Sequence, residues 1–174
     1  TEQEKITASD AATNDYFGNS VSLNGDYAVV GAPYDGNGEG AAYIFIRSGT
    51  DWTQQQKITS SPTATNDEFG LSVDISGDYV ISGANGTTTR AGSAYIFKRS
   101  GTSWSQQAKL QADDGATGDR FGKAVALSGD YTVIGAYNDT TSATGTGSAY
   151  IFKKDTGAET WTQKQKLTAS DAAA

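Results

Sequence analysis

The chain contains no cysteine, histidine or methionine among its 174 residues. The missing cysteine excludes a disulfide framework, thiol catalysis and thiolate metal sites, and the missing histidine removes the commonest general base and transition-metal ligand. Because position 1 is not methionine, we expect a processed or partial chain rather than a whole translation product. We expect no catalytic residue and no cofactor, since these absences exclude most familiar catalytic arrangements.

Positive charge and long apolar runs are also scarce. Thirteen Lys and Arg residues stand against twenty Asp and Glu, and none of the basic residues cluster as contact with a phosphate backbone requires. We therefore expect no nucleic-acid partner. The longest apolar run, Ala41 to Ile46, is far shorter than the roughly 20 residues that span a bilayer, so we expect no membrane insertion. The chain is rich in Gly, Ser and Thr, and we read this profile as extracellular, either secreted or at the cell surface.

A repeat of 52 residues runs through the sequence, because Phe17, Phe69 and Phe121 follow one another at that spacing. Extra residues in the third repeat fall in Gly-, Thr- and Asp-rich stretches and spare the motifs, as loop insertions on a constant scaffold do. The division that we predict is an initial segment at 1–10, repeats at 11–59, 60–112 and 113–170, and a tail at 171–174.

The pattern of each repeat predicts four short strands and no helix, since apolar residues alternate with polar ones and turn residues separate these segments. The first strand ("FGNSVSL" in repeat one) ends in an NG or SG turn suited to a tight hairpin. The third strand ("AAYIFIR") is apolar on both faces, whereas the fourth ("WTQQQKI") is mostly polar, as an outermost strand should be. We predict an all-β fold of four-stranded antiparallel β-propeller blades, and favour it over a solenoid.

The first repeat combines "FGNSV" with "VVGAP", and in this it resembles the FG-GAP repeat, which is named for its Phe-Gly and Gly-Ala-Pro signatures. The resemblance is closest to the short-hairpin bacterial type and covers essentially the whole chain. Pro33 completes the signature in repeat one alone, since Asn85 and Tyr137 replace it later. The resemblance implies an integrin-α-like propeller, typically of about seven blades, with roles in adhesion or ligand binding. The resemblance does not imply the calcium site of integrin-type blades, because hairpins such as "LNGDY" are too short to surround the ion.

The two ends of the sequence resemble each other, since "TEQEKITASD" at 1–10 aligns with "TQKQKLTASD" at 162–171. We expect residues 1–10 to form an outer strand that completes a preceding or neighbouring blade. Propellers typically use about four to eight blades, so we expect these three to form part of a larger propeller or assembly. The predicted partners are further blades or identical subunits, in a homo-oligomer or a polymer that forms a ring or a filament. A glycan or a surface protein is a further candidate ligand.

Residues that recur in every repeat are expected to be structural, because an active site needs a singular constellation. The Gly after each motif Phe should let a neighbouring backbone come close. Acids that precede the motif Phe or follow the hairpin should satisfy local backbone donors. The repeated structural residues are Phe17, Gly18, Phe69, Gly70, Phe121, Gly122, Asp26, Asp78 and Asp130, together with Asp15, Asp67 and Asp119.

Three kinds of candidate site remain. Asp35, Asn37 and Glu39 place oxygens at alternate positions, as calcium loops do, although the stretch lacks the full loop length and we favour a solvated loop. The stretch 113–119 offers a second such candidate, with the same preference. Asn85 and Asn138 begin N-glycosylation sequons. An aromatic set could stack on carbohydrate, but the recurrence of its tryptophans favours packing. Its members are Tyr34, Tyr137, Trp52, Trp104 and Trp161.

The leading hypothesis is a non-enzymatic extracellular structural or adhesion module that assembles with further blades or identical subunits. One alternative is a propeller that binds or degrades polysaccharide, which predicts unrepeated acids meeting in one concave site. The other is a calcium-dependent ligand-binding module, which predicts that a chelator lowers the melting temperature.

Overall fold

The structure is a computed structural model that describes residues 4–86, 90–140 and 146–170. It contains three four-stranded antiparallel sheets, one for each predicted repeat, and we call them blades 1, 2 and 3. Blade 1 contains β1 (Ser20–Asn24), β2 (Tyr27–Ala32), β3 (Ala41–Ser48) and β4 (Asp51–Ile58). Blade 2 contains β5 (Ser72–Ser76), β6 (Tyr79–Ala84), β7 (Ser93–Ser100) and β8 (Ser103–Leu110). Blade 3 contains β9 (Phe121–Ser128), β10 (Tyr131–Ala136), β11 (Ser148–Lys154) and β12 (Trp161–Leu167).

The strand order within each blade follows the chain, so the first strand lies at one edge and the fourth at the other. The predicted fold class is confirmed, and so is the polar fourth strand at the outer edge. In blades 1 and 2 the two middle strands are the most buried, and Ala41 to Phe45 of blade 1 are almost inaccessible. A register shift in each blade, such as the one between Ile44 and Phe45, places a β-bulge between the third and fourth strands. Bulges increase the twist of a strand, as blades that fan out from an axis require.

The prediction of no helix was wrong for one short element. A single turn, α1 (Asp35–Gly38), lies between β2 and β3, and Gly36 and Asn37 within it have left-handed φ angles of 62° and 64°. Gly and Asn are the residue types that adopt this conformation at least cost, so the stretch "DGN" closes a tight turn. The described residues include no helix long and apolar enough to cross a bilayer.

The first strands of blades 1 and 2 begin later than the sequence predicted. The prediction started them at the motif Phe, whereas β1 and β5 begin at Ser20 and Ser72. Gly18 and Gly70 have φ angles of 94° and 87°, which regular extended pairing does not allow, and β9 includes the corresponding Gly122, with a φ of 89°, through a register shift opposite Gly135 and Ala136. Only β9 begins at its motif residue, Phe121.

Apolar side chains fill the spaces between the blades. One cluster lies between blades 1 and 2, where Val29 and Ile44 meet Phe69 and Tyr95. A second joins blades 2 and 3 in the same way, and its members include Ile81, Phe121 and Tyr150. A third lies on the opposite face of blade 1, where Ile6 and Ala8 pack against it. The inner strands β1, β5 and β9 are neighbours in space, so each blade packs face to face on the next.

Candidate functional site

The interface between blades 1 and 2 contains one aromatic pair with a cation above it. Tyr27 of blade 1 meets Trp104 of blade 2 edge to face, with ring centroids 6.0 Å apart. The Arg99 guanidinium lies 4.6 Å from the centroid of the Tyr27 ring and donates to its hydroxyl at 3.0 Å. Aromatic pairs of this geometry and cations above a ring each add to the burial energy.

The interface between blades 2 and 3 repeats this arrangement. Tyr79 meets Trp161 with centroids 6.2 Å apart, and the Lys154 ammonium lies 4.3 Å above the Tyr79 ring. Trp104 and Trp161 are both buried, in agreement with the packing role that their recurrence indicates.

Backbone contacts also repeat at the two interfaces. Ser20 Oγ donates to Gly70 O at 2.7 Å, and Ser72 Oγ donates to Gly122 O at 2.9 Å. A Cβ on Gly70 would lie 2.2 Å from the carbonyl oxygen of Ala41, and one on Gly122 would meet Ser93 equally closely at 2.2 Å. The glycine of each of these two motifs therefore allows a close backbone approach, as the sequence indicated.

The described residues cover the outer faces of blades 1 and 3 only in part, since Ile6 and Ala8 pack on blade 1 but leave its first strand exposed. Val21 and Leu23 of β1 are 68% and 64% exposed, whereas their counterparts in blade 2, Val73 and Ile75, are 7% and 4% exposed. A Cβ on Gly18 would meet nothing within 4 Å.

Blade 3 also has exposed apolar side chains on its outer face, where the other blades have buried ones. Tyr131 and Val133 are 48% and 38% exposed, although Val29 and Ile81, the counterparts of Val133, are fully buried. Leu167 is 41% exposed, while its counterpart Leu110 is 4% exposed.

Residues 4–10 occupy, relative to blade 1, the place that residues 56–62 occupy relative to blade 2. Glu4 Oε2 accepts from the Trp52 amide at 2.6 Å, just as Gln56 Oε1 accepts from the Trp104 amide at 2.8 Å. The Ser9 amide donates to Gln54 at 2.9 Å. The described part of this segment has no strand assignment, so the strand that we predicted at 1–10 remains a prediction.

A buried tyrosine, two carboxylates and a lysine form a compact cluster in blade 1. The Tyr43 hydroxyl lies 2.8 Å from Asp10 Oδ1 and 2.7 Å from Asp35 Oδ2. Lys57 Nζ donates to Asp10 at 2.7 Å and to Asp35 at 2.8 Å. The hydrogen bond from Lys57 lowers the pKa of Asp10. Burial alone would lower the pKa of Lys57, but the hydrogen bonds to both carboxylates outweigh it and raise that pKa.

Blade 3 has the same cluster. The Tyr150 hydroxyl lies 2.9 Å from Asp114 and 2.7 Å from Asp139, and Lys166 Nζ lies 2.6 Å from each carboxylate. The hydrogen bond from Lys166 lowers the pKa of Asp114. Burial, followed by the Asp139 hydrogen bond, raises the pKa of Tyr150. Both clusters tie a buried third strand to the loops around it, and their recurrence indicates a structural role.

The candidate calcium residues do not converge on an ion. The Asp35 carboxylate bonds to Tyr43 and Lys57 inside the cluster, while Asn37 is exposed on the neighbouring turn. Residues 4–86, 90–140 and 146–170 contain no group of three or more acids that could hold a metal. Asp114 of the second candidate stretch is likewise engaged by Lys166, whereas Asp119 accepts from the Ala116 amide at 2.7 Å.

The two sequon asparagines differ in environment. Asn85 is 1% exposed, and both of its side-chain amide atoms lack a hydrogen-bond partner. Asn138 is half-buried, and its Nδ2 donates to Gly118 O at 2.8 Å. A glycan could reach Asn85 only before the fold closes around it. Thr87 of the first sequon lies outside the described residues.

The repeated acids after the hairpins bind cations on the third strand instead of backbone donors in their own turn. Asp26 pairs with Arg47 at 2.6 Å and Asp130 pairs with Lys154 at 3.0 Å. Asp78 pairs with Arg99. The acids before the motif Phe include two that match the prediction, since Asp15 and Asp119 each accept from a local amide at 2.7 Å.

A cleft of about 1030 Å³ opens where loops of repeats one and two meet. The exposed rings of Tyr16 and Tyr34 touch edge to face on its wall, with centroids 5.1 Å apart. Tyr34 belonged to the candidate stacking set, for which we favoured packing, but Tyr16 was not included in that set. The signal that could have found it is that repeats two and three have Glu68 and Arg120 at the Tyr16 position.

Three face-packed, four-stranded antiparallel sheets, each with its first strand next to that of its neighbour, define blades of a β-propeller. The chain belongs to the FG-GAP repeat family, whose repeat model matches residues 1–45, 52–97 and 104–152.

Among solved structures, the chain is similar to the crystal structure of Saccharomyces cerevisiae Sqt1, a β-propeller, with a TM-score of 0.59 and 9% sequence identity. The match covers 90% of this chain and 37% of that one, and it supports the fold alone. Comparison with curated protein sequences gives no significant match.

Proposed function

We propose that this chain is a non-enzymatic structural and adhesion module, acting outside the cell, that joins further blades through the open faces of blades 1 and 3. We propose that a second copy of the chain provides the neighbouring blade. The observation that carries the proposal is the complementarity of the two faces. Blade 3 presents Tyr131, while blade 1 presents Trp52 and Arg47 at the positions that receive a tyrosine elsewhere in the array.

The two internal interfaces provide the template for this joint. At the first interface, Tyr27 of blade 1 contacts Trp104 and Arg99 of blade 2. At the second interface, the equivalent residue Tyr79 of blade 2 contacts Trp161 and Lys154 of blade 3. The next repeat places Tyr131 at this position, and among the described residues the cation above its ring is the Lys153 ammonium of its own blade, at 5.3 Å. Trp52 and Arg47 of a second copy would complete this third set.

The energetics predict association that depends on concentration. Val21, Leu23, Val133 and Leu167 are 38–68% exposed, so burying the rest of each side chain would contribute about half of the 1.5–3 kcal/mol that complete burial gives. Joining two molecules costs about 4–15 kcal/mol in lost translational and rotational freedom. Because the gain and the cost are similar, we expect copies to separate on dilution. Head-to-tail joining of this kind closes a ring or continues as a filament.

The proposal is tested by sedimentation velocity across a range of protein concentrations. We expect species larger than the 18.1 kDa chain, whose fraction rises with concentration. Tyr131→Ala and Trp52→Ala should each reduce that fraction. Tyr34→Ala removes a tyrosine, 44% exposed, that lines the cleft between repeats one and two and should leave the fraction unchanged. A chain that remains monomeric at every concentration, or equal effects of all three variants, would overturn the proposal.

A further inference from the structure

The cleft beside Tyr16 and Tyr34 lies on the side of the blades where their connecting loops meet. Residues 12–19 precede β1, residues 34–38 lie between β2 and β3, and Asn66 precedes β5. The cleft therefore spans repeats one and two. Its volume of about 1030 Å³ matches the upper range of small-molecule pockets.

The other repeats are an internal control on the two aromatic rings. The backbone around Tyr16 is the same in all three, because Glu68 and Arg120 have φ angles of 57° and 59° against 55° for Tyr16. The Tyr34 amide donates to Asp15 O at 3.3 Å, and Gly86 makes the corresponding bond to Asp67 at 3.2 Å. The fold thus requires no aromatic side chain at the positions of Tyr16 and Tyr34, and only repeat one has aromatic residues there.

The exposure of these rings indicates a role in binding. Tyr16 is 60% exposed and Tyr34 is 44% exposed, so neither ring belongs to the core. Tyrosine rings combine a flat apolar surface with a polar hydroxyl, which suits ligands that have both apolar faces and hydroxyl groups. A sugar ring has such a face on its C–H side and hydroxyl groups at its edge.

The polar groups of the cleft match hydroxyls rather than charges. Within the described part of the chain, its lining residues include side-chain amides, one carboxylate and one threonine hydroxyl, and no lysine or arginine. Amides offer both a donor and acceptors, which pair with hydroxyl groups of either role. An anionic sugar would find no cation here and would be repelled by the carboxylate. The lining side chains with polar atoms include Thr13, Asn14, Asp15, Asn19, Asn37 and Asn66.

We propose that this cleft is a binding site for a neutral oligosaccharide segment, whose sugar rings stack on Tyr16 and Tyr34 while the amides of Asn14, Asn37 and Asn66 bind its hydroxyls. The cleft is formed within one chain, but Glu68 and Arg120, at the Tyr16 position of repeats two and three, donate their amides to Gly38 and Arg90 of the preceding blade, so a joined blade would lie beside Tyr16 and binding is measured on the dilute monomer. The module would then attach to a neutral polysaccharide through repeat one.

The test is affinity electrophoresis in gels containing soluble neutral polysaccharides, namely xyloglucan, glucomannan, galactomannan and laminarin. Dextran sulfate and alginate provide the anionic arm. We expect retardation by at least one neutral polymer, followed by calorimetric titration with hexasaccharides of that polymer. Tyr34→Asn and Tyr16→Glu introduce the side chains that repeats three and two have at these positions, so both variants should fold. Each should weaken binding at least tenfold.

The control variant is Tyr137→Ala, which removes an exposed tyrosine of repeat three and should bind like the wild type. Retardation by no neutral polymer, or by the anionic polymers alone, would overturn the proposal. So would unchanged affinity in the double variant Tyr16→Glu with Tyr34→Asn. A folded state of each variant is established by its urea midpoint, so that a lost interaction is assigned to the cleft.

Discussion

The hydroxyl of Ser22 donates to Asp74 Oδ1 at 2.6 Å, across the interface between blades 1 and 2. The other oxygen of the same carboxylate, Oδ2, accepts from the Leu127 amide of blade 3 at 2.7 Å. Asp74 thus connects the inner strands of all three blades, and it is a residue of repeat two alone, since Ser22 and Ala126 occupy its position in the other repeats.

Replacing Asp74 with alanine should lower the free energy of unfolding by about 1.5–3 kcal/mol, because hydrogen bonds to a charged group are lost and a backbone amide loses its partner. Urea unfolding followed by tryptophan fluorescence measures this. Asp26→Ala is the matched control, since its exposed ion pair with Arg47 should contribute about 0–1 kcal/mol. Equal losses in the two variants would show that the shared carboxylate does not hold the blades together.

Two glycines of the same motif should respond differently to substitution. Gly18→Ala and Gly70→Ala both place a side chain at a positive φ, 94° and 87°. Only Gly70→Ala also forces a Cβ to 2.2 Å from the Ala41 carbonyl oxygen. We expect Gly70→Ala to cost about 1–3 kcal/mol more in unfolding free energy, as overpacked sites do. Similar urea midpoints for the two variants would contradict the close approach of the blades.

Stability should fall in acid because of the two carboxylate clusters. The pKa values of Asp10 and Asp114 are lowered in the fold, so their contribution is complete above the ordinary carboxyl pKa and is lost as the pH falls through the folded value. The double variant Asp10→Asn with Asp114→Asn should flatten the acid limb of a plot of melting temperature against pH between pH 5 and about pH 2. Asp51→Asn removes an exposed carboxylate outside both clusters and should retain more of that limb. A limb unchanged in the double variant would exclude the clusters as its cause.

The buried amide of Asn85 should be a source of instability. Both of its polar atoms lack partners, and repeat one has Pro33 at the same position. Asn85→Pro should raise the free energy of unfolding by about 1 kcal/mol, since an unsatisfied buried group and chain entropy are both removed. Tyr137→Pro is the control, because Tyr137 is exposed and has no buried unsatisfied amide to remove, and its ring contact with Arg120 is lost, so we expect no gain there. A lower urea midpoint for Asn85→Pro would contradict the expectation.

The repeated part of the fold could be predicted because its determinants are local. Alternating apolar residues and the Gly-containing turns after Asn24, Ser76 and Ser128 predict each hairpin without knowledge of the others. The strand starts were misplaced because glycine permits the left-handed φ that Gly18 and Gly70 adopt but does not require it. The close approach that Gly70 allows involves Ala41 of the neighbouring blade, which no local pattern shows.

The candidate sites were less predictable for the same reason. Asp10, Asp35 and Lys57 come from three separate segments, and only the fold brings them to Tyr43. The alternate spacing of Asp35 with Asn37 made them calcium candidates, although we favoured a solvated loop, and in the fold the Asp35 carboxylate accepts from the Lys57 ammonium. Tyr16 was missed because its partner ring lies in another loop.

The central claim, that blade 3 of one copy packs on blade 1 of another, is tested by disulfide cross-linking in this cysteine-free chain. Asn24 Oδ1 accepts from the Gly77 amide and Ser76 Oγ accepts from the Gly129 amide, each at 3.2 Å. The equivalent contact at a joint between two copies would pair Ser128 of one copy with Gly25 of the other. Mixing a Ser128→Cys chain with a Gly25→Cys chain under mild oxidation should give the mixed dimer as the main cross-linked product. A Thr50→Cys chain in place of Gly25→Cys should give little. Equal yields from the two mixtures, or no mixed dimer from the first, would contradict the account.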